Sequence, residues 1–427
     1  MSTTSYYQAT VKPCPAHAPL TGSHDTRIAI IGGGFAGLNT ALSLTEKGMH
    51  DVTLLEAEDI GFGASGRNGG FVFAGYSLGE AELLQRLGRE RARRLFALTV
   101  DAVQTIRSRI HRHGIDCDPV DHGVIWANWF RDPGVLRRRQ RLLAEQFDVT
   151  WDWLSHANMA ERLHTDRYGE GLFERNAMHI HPLNYARGLA AAAAGEGVHV
   201  HEHSRVQSIQ HDGSQWLVRT VHGGILRARH VVLACGGYLA GLNKRVDRAV
   251  LPIATYVMVT EPLGARLTDT VATPAAVYDT RFAFDYYRTL PDTRLLWGGR
   301  ISVLDRSPRA VKRLLRNDML RVYPQLADAQ IEYAWSGLMS YARHEMPQIG
   351  TDGNGLWWAQ AFGGHGLAPT TVAGELIAGA LTENDGRWRE FAGFGLVDSW
   401  RPLGYLGAQA RYGWLQLKDR LKEVLEA

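Results

Sequence analysis

Cysteine is scarce: Cys14, Cys117 and Cys235 are the only three in 427 residues. An odd number, widely spaced and outside any metal-ligand pattern, excludes a disulfide framework and points to a reducing compartment, the cytoplasm. Long apolar runs are missing as well. No stretch reaches the eighteen or so uninterrupted apolar residues of a membrane span. Residues 1–24 carry prolines and polar residues where a secretory leader needs an apolar centre, so export is not expected. Neither sign of charge dominates, since 47 Lys+Arg against 44 Asp+Glu leave +3 with histidine neutral. The basic runs "RERARR" (89–94) and "RRRQR" (137–141) have no zinc-finger or RNA-binding signature beside them, so they read as solvated helix faces and no nucleic-acid partner is expected. What remains is a globular chain, 45% hydrophobic, long enough for two domains.

Glycine, by contrast, is abundant, with 46 residues. "RIAIIGGGFAGLNTALSLTEKG" (27–48) reads as strand, glycine turn and helix. Gly32, Gly34 and Gly37 form G-x-G-x-x-G around Phe35 and Ala36: the first glycine turns the chain, the second admits a pyrophosphate, and the third packs helix on strand. "DVTLLEAE" (51–58) then supplies a second strand ending in Glu56 and Ala57, nineteen residues past Gly37, where a carboxylate accepts hydrogen bonds from a ribose. The spacing implies a dinucleotide without separating NAD from FAD.

The stretch "GFGASGRNGG" (61–70) adds the distinction by resemblance. Together with Gly32 to Gly37 and Glu56, it is similar to the FAD-dependent amine and amino-acid oxidase superfamily of D-amino-acid, glycine and sarcosine oxidases. Within that superfamily it most resembles γ-glutamylputrescine oxidases. The resemblance implies a loop that runs past the pyrophosphate and under the isoalloxazine. Gly63 and Ala64 lead into that loop, Ser65 and Asn68 donate hydrogen bonds, Arg67 neutralises charge, and Gly69 and Gly70 leave room for the ring.

Three later segments fit the same cofactor. Residues 181–209 read as an alanine-rich helix, a stop at Gly195 and Gly197, and a strand bearing His199, His201 and His203, with no ligand spacing that suggests a metal. The resemblance gives Val206 a backbone contact to adenine. "ARHVVLACGGY" (228–238) is a buried-type strand that turns at Gly236 and Gly237, with Cys235 as a packing residue. "LWWAQAFGGHGLAPTTVAGELIAGAL" (356–381) runs from a strand through Gly363, Gly364, His365 and Gly366 into a helix beginning around Leu367 and Ala368, with Pro369 in its first turn. A helix N-terminus aimed at the flavin stabilises the negative charge of its reduced form.

The expected architecture is α/β plus α+β, a Rossmann-like FAD-binding domain with an antiparallel-sheet substrate domain. The first is assigned to 25–104, 183–248 and 337–427, and the second to 105–182 and 249–336. In "FAFDYYRTL" the alternation puts Phe282, Phe284 and Tyr286 on one face and Asp285 and Tyr287 on the other, one face being core and the other open to substrate. Tyr256, Tyr287, Trp335 and Tyr341 are the candidate pocket aromatics, and His365 and Tyr287 the candidate catalytic residues.

Departures from the resembling proteins narrow the substrate. Met339 stands where glycine oxidases place a carboxylate-gripping arginine, and Ala368 stands near the sarcosine-oxidase lysine, so a small carboxylate substrate is disfavoured. Gly337 replaces a flavin-tethering cysteine, and Arg67 and Asn68 occupy the place of a tethering histidine, so FAD is expected without a covalent bond. The expected chemistry is oxidation of an amine, γ-glutamylputrescine or a related polyamine derivative, to an imine that hydrolyses to aldehyde, with O2 or an electron carrier as acceptor. The alternatives are a D-amino-acid or N-methyl-amino-acid oxidase or dehydrogenase, and an FAD-binding protein without catalysis.

Overall fold

The computed structural model describes residues 4–426. Its first sheet grows from the run Ile28 to Ile31, buried at every position. A strand apolar on both faces must be covered on both, and Ser23–Ile31 accordingly lies inside a parallel array between Ile225–Leu233 and Val52–Leu55. Across the sheet the order is Gln348–Thr351, Leu356–Gln360, Ile225–Leu233, Ser23–Ile31, Val52–Leu55, His199–His201. The outermost Gln348–Thr351 runs antiparallel, and the hairpin Val206–His211/Trp216–Thr220 adds antiparallel to Ile225–Leu233.

The helix Phe35–Glu46 covers this sheet with all but its last residue buried. It packs closely on Leu367–Glu383: a β-carbon on Gly374 would stand 2.5 Å from the backbone carbon of Asn39, so only glycine lets the two helices approach this far. Arg109 of the Arg89–Arg112 helix, 1% exposed, donates to Asn39 Oδ1 at 2.7 Å and Ser43 Oγ at 2.8 Å and pairs with Glu46 at 2.5 Å. A buried guanidinium with each of its three nitrogens directed to a partner ties its helix to successive turns of Phe35–Glu46.

The second sheet runs Ile331–Tyr341, Leu251–Thr260, Leu295–Ser302, Asp285–Thr289, Ala276–Asp279, Val124–Ala127, Gly171–Glu174, Asp152–Leu154. It is antiparallel except where Ala276–Asp279 lies parallel to Val124–Ala127, two strands joined through a long chain excursion rather than a hairpin. The Ile331–Tyr341 strand pairs with Leu251–Thr260 along its length, so the edge placed at 336/337 falls inside a strand of this sheet. The Pro308–Val322 helix covers one face through Val311, Leu315 and Met319. The fold is thus a Rossmann-like α/β unit joined to a sheet-based substrate unit.

Two local expectations are corrected. Arg91 and Arg94 pair with Glu390 at the surface, but Arg139 in the second basic run turns inward, pairing with Glu80 at 2.7 Å and lying over the Trp126 and Trp151 rings at 4.6 and 4.7 Å. His203 sits beyond the His199–His201 strand at φ +50°, so that strand bears only the first two of the three histidines.

Candidate active site

A cavity of about 870 Å³ opens at the carboxyl ends of Ser23–Ile31 and Val52–Leu55 and extends beneath the second sheet. That is the place where open α/β sheets receive ligands.

One part of its wall is built for a dinucleotide. Gly32 has φ +114° and its backbone passes so close to the next strand that a β-carbon would stand 2.7 Å from Ala234 O. Gly34 precedes the Phe35–Glu46 helix and, as glycine, offers no capping side chain of its own. Glu56 lies on the wall with its carboxylate accepting the N–H of Gly33 at 2.6 Å and of Glu58 at 3.0 Å, and burial raises its pKa. Ala57 and Val206 flank it.

The glycine loop packs across this region. Ser65 Oγ accepts the Phe35 N–H at 2.9 Å, leaving its own proton free for a ligand oxygen. Asn68 is used within the loop: its amide donates to the Ala64 and Ser65 carbonyls and its oxygen accepts the Gly70 N–H at 2.8 Å. Gly63, Ala64, Ser65, Asn68 and Gly69 face the cavity, as do Cys235, Gly236 and Gly237 from the turn after Ile225–Leu233. The Cys235 thiol donates to Ile31 O at 3.2 Å and is pushed up to about 12 by burial, so it is a neutral packing group.

A second uncapped helix points at the same space. Gly366 caps Leu367–Glu383 without a side-chain hydrogen bond, and Leu367, Ala368, Pro369 and Thr370 all line the cavity. Two helix starts on one wall favour negative charge there, as pyrophosphate and reduced flavin carry. Gly363, Gly364 and His365 line the approach. The His365 ring meets Phe73 edge-on at 4.6 Å, its Nδ1 is without a partner, and burial, aided by the Arg139 guanidinium, pushes it down to about 4. A histidine held there is neutral across the ordinary working range.

Several expected site residues lie elsewhere. Gly37 is off the wall because it packs under Gly32. Arg67 turns away, donating to Phe62 O at 2.9 Å and stacking over that ring. Gly70 is pressed against Ile180 O. Of the pocket aromatics, only Tyr341 lines the cavity. Tyr256 is core, its hydroxyl donating to Leu304 O. Tyr287 is fully buried on the opposite face, stacked on Trp297 at 4.5 Å and 3.0 Å from the Tyr323 hydroxyl, which removes it from any catalytic role by contact. Trp335 donates to Arg67 O at 2.9 Å from inside another core cluster.

The cavity is lined instead by the other face of the same segment, Phe282, Phe284 and Tyr286, with Phe73 and Tyr278. Arg288 follows on that face. It is 2% exposed and its hydrogen-bond partners are neutral: Gly69 O at 2.8 Å, Ile180 O at 2.9 Å, Tyr7 Oη and His179 Nδ1 at 3.3 Å each. It clamps the glycine loop from behind. The period-two pattern that grouped Phe282, Phe284 and Tyr286 also marks Arg288, an unexpected charge at an inward strand position.

The fold agrees with what comparison finds. Residues 27–380 match the family model described as FAD dependent oxidoreductase. The chain is 34% identical over 392 residues to the γ-glutamylputrescine oxidoreductase of Escherichia coli, covering 91% of each protein. It is 25% identical over 398 residues to the glycine oxidase of Geobacillus kaustophilus, covering 91% of this chain and 100% of that one. The crystal structure of that glycine oxidase superposes with a TM-score of 0.72 at 22% identity, covering 88% of this chain and 99% of the other. L-proline dehydrogenase from P. horikoshii also superposes at 0.72, with 17% identity over 88% of this chain and all of its own.

Proposed function

The chain belongs to the family of FAD-dependent oxidoreductases, and from that premise we propose that its substrate is γ-glutamylputrescine or a related polyamine derivative. The protein is an FAD-dependent amine oxidase or dehydrogenase, and FAD is its cofactor. Bound FAD supplies the two-electron sink that takes hydride from the carbon beside the nitrogen. The residues described above fit that group: the glycine turns would leave room for it, Glu56 would accept from the ribose, and Ser65 and the two helix starts would hold the phosphates and ring. We take the FAD to be held without a covalent bond and the product imine to be hydrolysed to aldehyde, with oxygen or a carrier as final acceptor. The reaction is placed in the cytoplasm, on the scarcity of cysteine.

The observation that carries the substrate assignment is the state of the arginines on the wall. Arg205 pairs with Glu58 at 2.5 Å, Arg300 with Asp318 at 2.6 Å, Arg401 with Asp247 at 2.9 Å and Arg411 with Glu345 at 2.7 Å. A small amino acid oxidised at its α-carbon needs an open guanidinium for its carboxylate, and Met339 lies on the wall where the resemblance places one. An alkyl amine needs an apolar corridor that excludes water and favours the neutral nitrogen, and Phe73, Tyr278 and Tyr286 provide it.

Anaerobic mixing of the yellow protein with γ-glutamylputrescine, putrescine, D-alanine and sarcosine tests this. Bleaching of the flavin by γ-glutamylputrescine ahead of the others is expected. Faster bleaching by D-alanine or sarcosine transfers the assignment to the amino-acid oxidases.

A further inference from the structure

The C-terminal helix, Leu403–Glu426, is amphipathic with its polar side inward. Gln409 Oε1 accepts from the Ser302 hydroxyl and the Val303 N–H, and Asp419 accepts the Phe282 N–H at 2.8 Å. Glu423 pairs with Arg167 and Arg321 at 2.7 and 2.5 Å, and Lys422 stands over the Phe130 ring at 4.0 Å. The outward side is apolar. Leu403, Leu406, Trp414, Leu417, Leu421 and Val424 are between 46 and 74% exposed and recur at spacings of three, four or their sums, so they form one stripe along the helix. Trp400, 61% exposed, extends it, with the Arg343 guanidinium 3.9 Å from its ring centre. The polar anchors hold this stripe away from the core, and monomers rarely leave so long an apolar patch uncovered.

Charge indicates what covers it. The helix has three carboxylates, and the body engages each: Asp419 and Glu423 as above, and Glu426 by the Arg131 N–H at 2.6 Å. Asp398, before the helix, accepts the Trp400 N–H at 2.7 Å. Lys418 and Arg420 remain exposed beside Leu417 and Leu421. A second copy of this helix offers them apolar or basic neighbours in either direction. Anionic headgroups offer opposite charge, while leucine and tryptophan enter the acyl boundary.

We propose that this face seats the protein on an anionic lipid surface, lying in the interface. No described helix is long and apolar enough to cross a membrane. Because Arg411 and Tyr412 of the same helix line the cavity, the bound surface lies beside the substrate wall.

Flotation of the FAD-loaded full chain with phosphatidylcholine vesicles, with and without phosphatidylglycerol, tests the proposal at low salt. Flotation with the anionic vesicles is expected, reduced about tenfold without phosphatidylglycerol. Leu417→Glu/Leu421→Glu should abolish it and Lys418→Glu/Arg420→Glu should remove the preference for anionic lipid, both with unchanged flavin absorbance. Wild-type protein that stays unbound overturns the proposal, as does a Leu417→Glu/Leu421→Glu variant that still floats. A wild-type dimer that this double substitution converts to monomer, without flotation, assigns the stripe to a second copy instead.

Discussion

Gly37 lies directly against Gly32: a β-carbon on Gly37 would stand 1.9 Å from the Gly32 carbonyl oxygen. The helix start and the Gly32 turn are therefore fixed relative to each other by the absence of one methyl group. Gly37→Ala should destabilise the protein by about 1–3 kcal/mol through overpacking and move the turn that faces the pyrophosphate. Thermal unfolding and the ratio of flavin to protein absorbance check this. Gly79→Ala, at φ −64° with no atom within 4 Å of the added carbon, should shift stability by no more than about 0.5 kcal/mol and leave the absorbance ratio unchanged.

Arg288 ties the glycine loop to a neighbouring segment by donating to the Gly69 and Ile180 carbonyls, so its loss should be felt at the cofactor although it does not line the cavity. Arg288→Met keeps the bulk, removes the charge and leaves the Gly69 and Ile180 carbonyls unpaired. Each buried acceptor left without a partner costs about 1–3 kcal/mol. FAD affinity should fall about tenfold or more, read by titrating the apoprotein. Undiminished affinity in a folded variant sinks the clamp.

The contrast between these two glycine-loop supports shows what sequence makes legible. Gly32, Gly34 and Gly37 serve a turn whose partners are a few residues away, so spacing alone exposes them. Arg288 acts on residues 69 and 180, and nothing local announces those partners. The aromatic strand was harder still. Alternation separated Tyr286 from Tyr287 correctly, yet both faces of that strand are covered, Tyr287 by Trp297 and Tyr286 by the glycine loop, where a β-carbon on Gly69 would meet its ring at 2.6 Å. Hydrophobicity cannot rank two covered faces. The wall arginines at 300, 401 and 411 come from separate elements and form no motif.

His365, held near 4, carries no charge between pH 6 and 9, so it cannot impose a titration on the reaction there. The bound amine can. Flavin reduction should rise with pH as the amine loses its proton. His365→Gln should lower the rate without moving that profile, provided FAD content is first shown to be equal. A profile that shifts in the variant would falsify the neutral-histidine account, and a flat wild-type profile would remove the requirement for a free lone pair.

Glu174 gives a stability signature that runs opposite to most carboxylates. Burial raises it to about 7 despite the nearby Arg139, and its Oε2 has no partner among the described residues. The folded state thus holds a proton that the unfolded chain releases near 4.5. The resulting stability is complete below that value and disappears as pH climbs through 7. The difference is on the order of 3 kcal/mol. Glu174→Gln carries a neutral amide at every pH and escapes the loss. Its unfolding temperature should therefore gain steadily on the wild type between pH 5 and pH 8, by differential scanning calorimetry of the FAD-loaded proteins. A constant gap across that interval means that Glu174 is ionised in the fold, with Arg139 shared between it and Glu80.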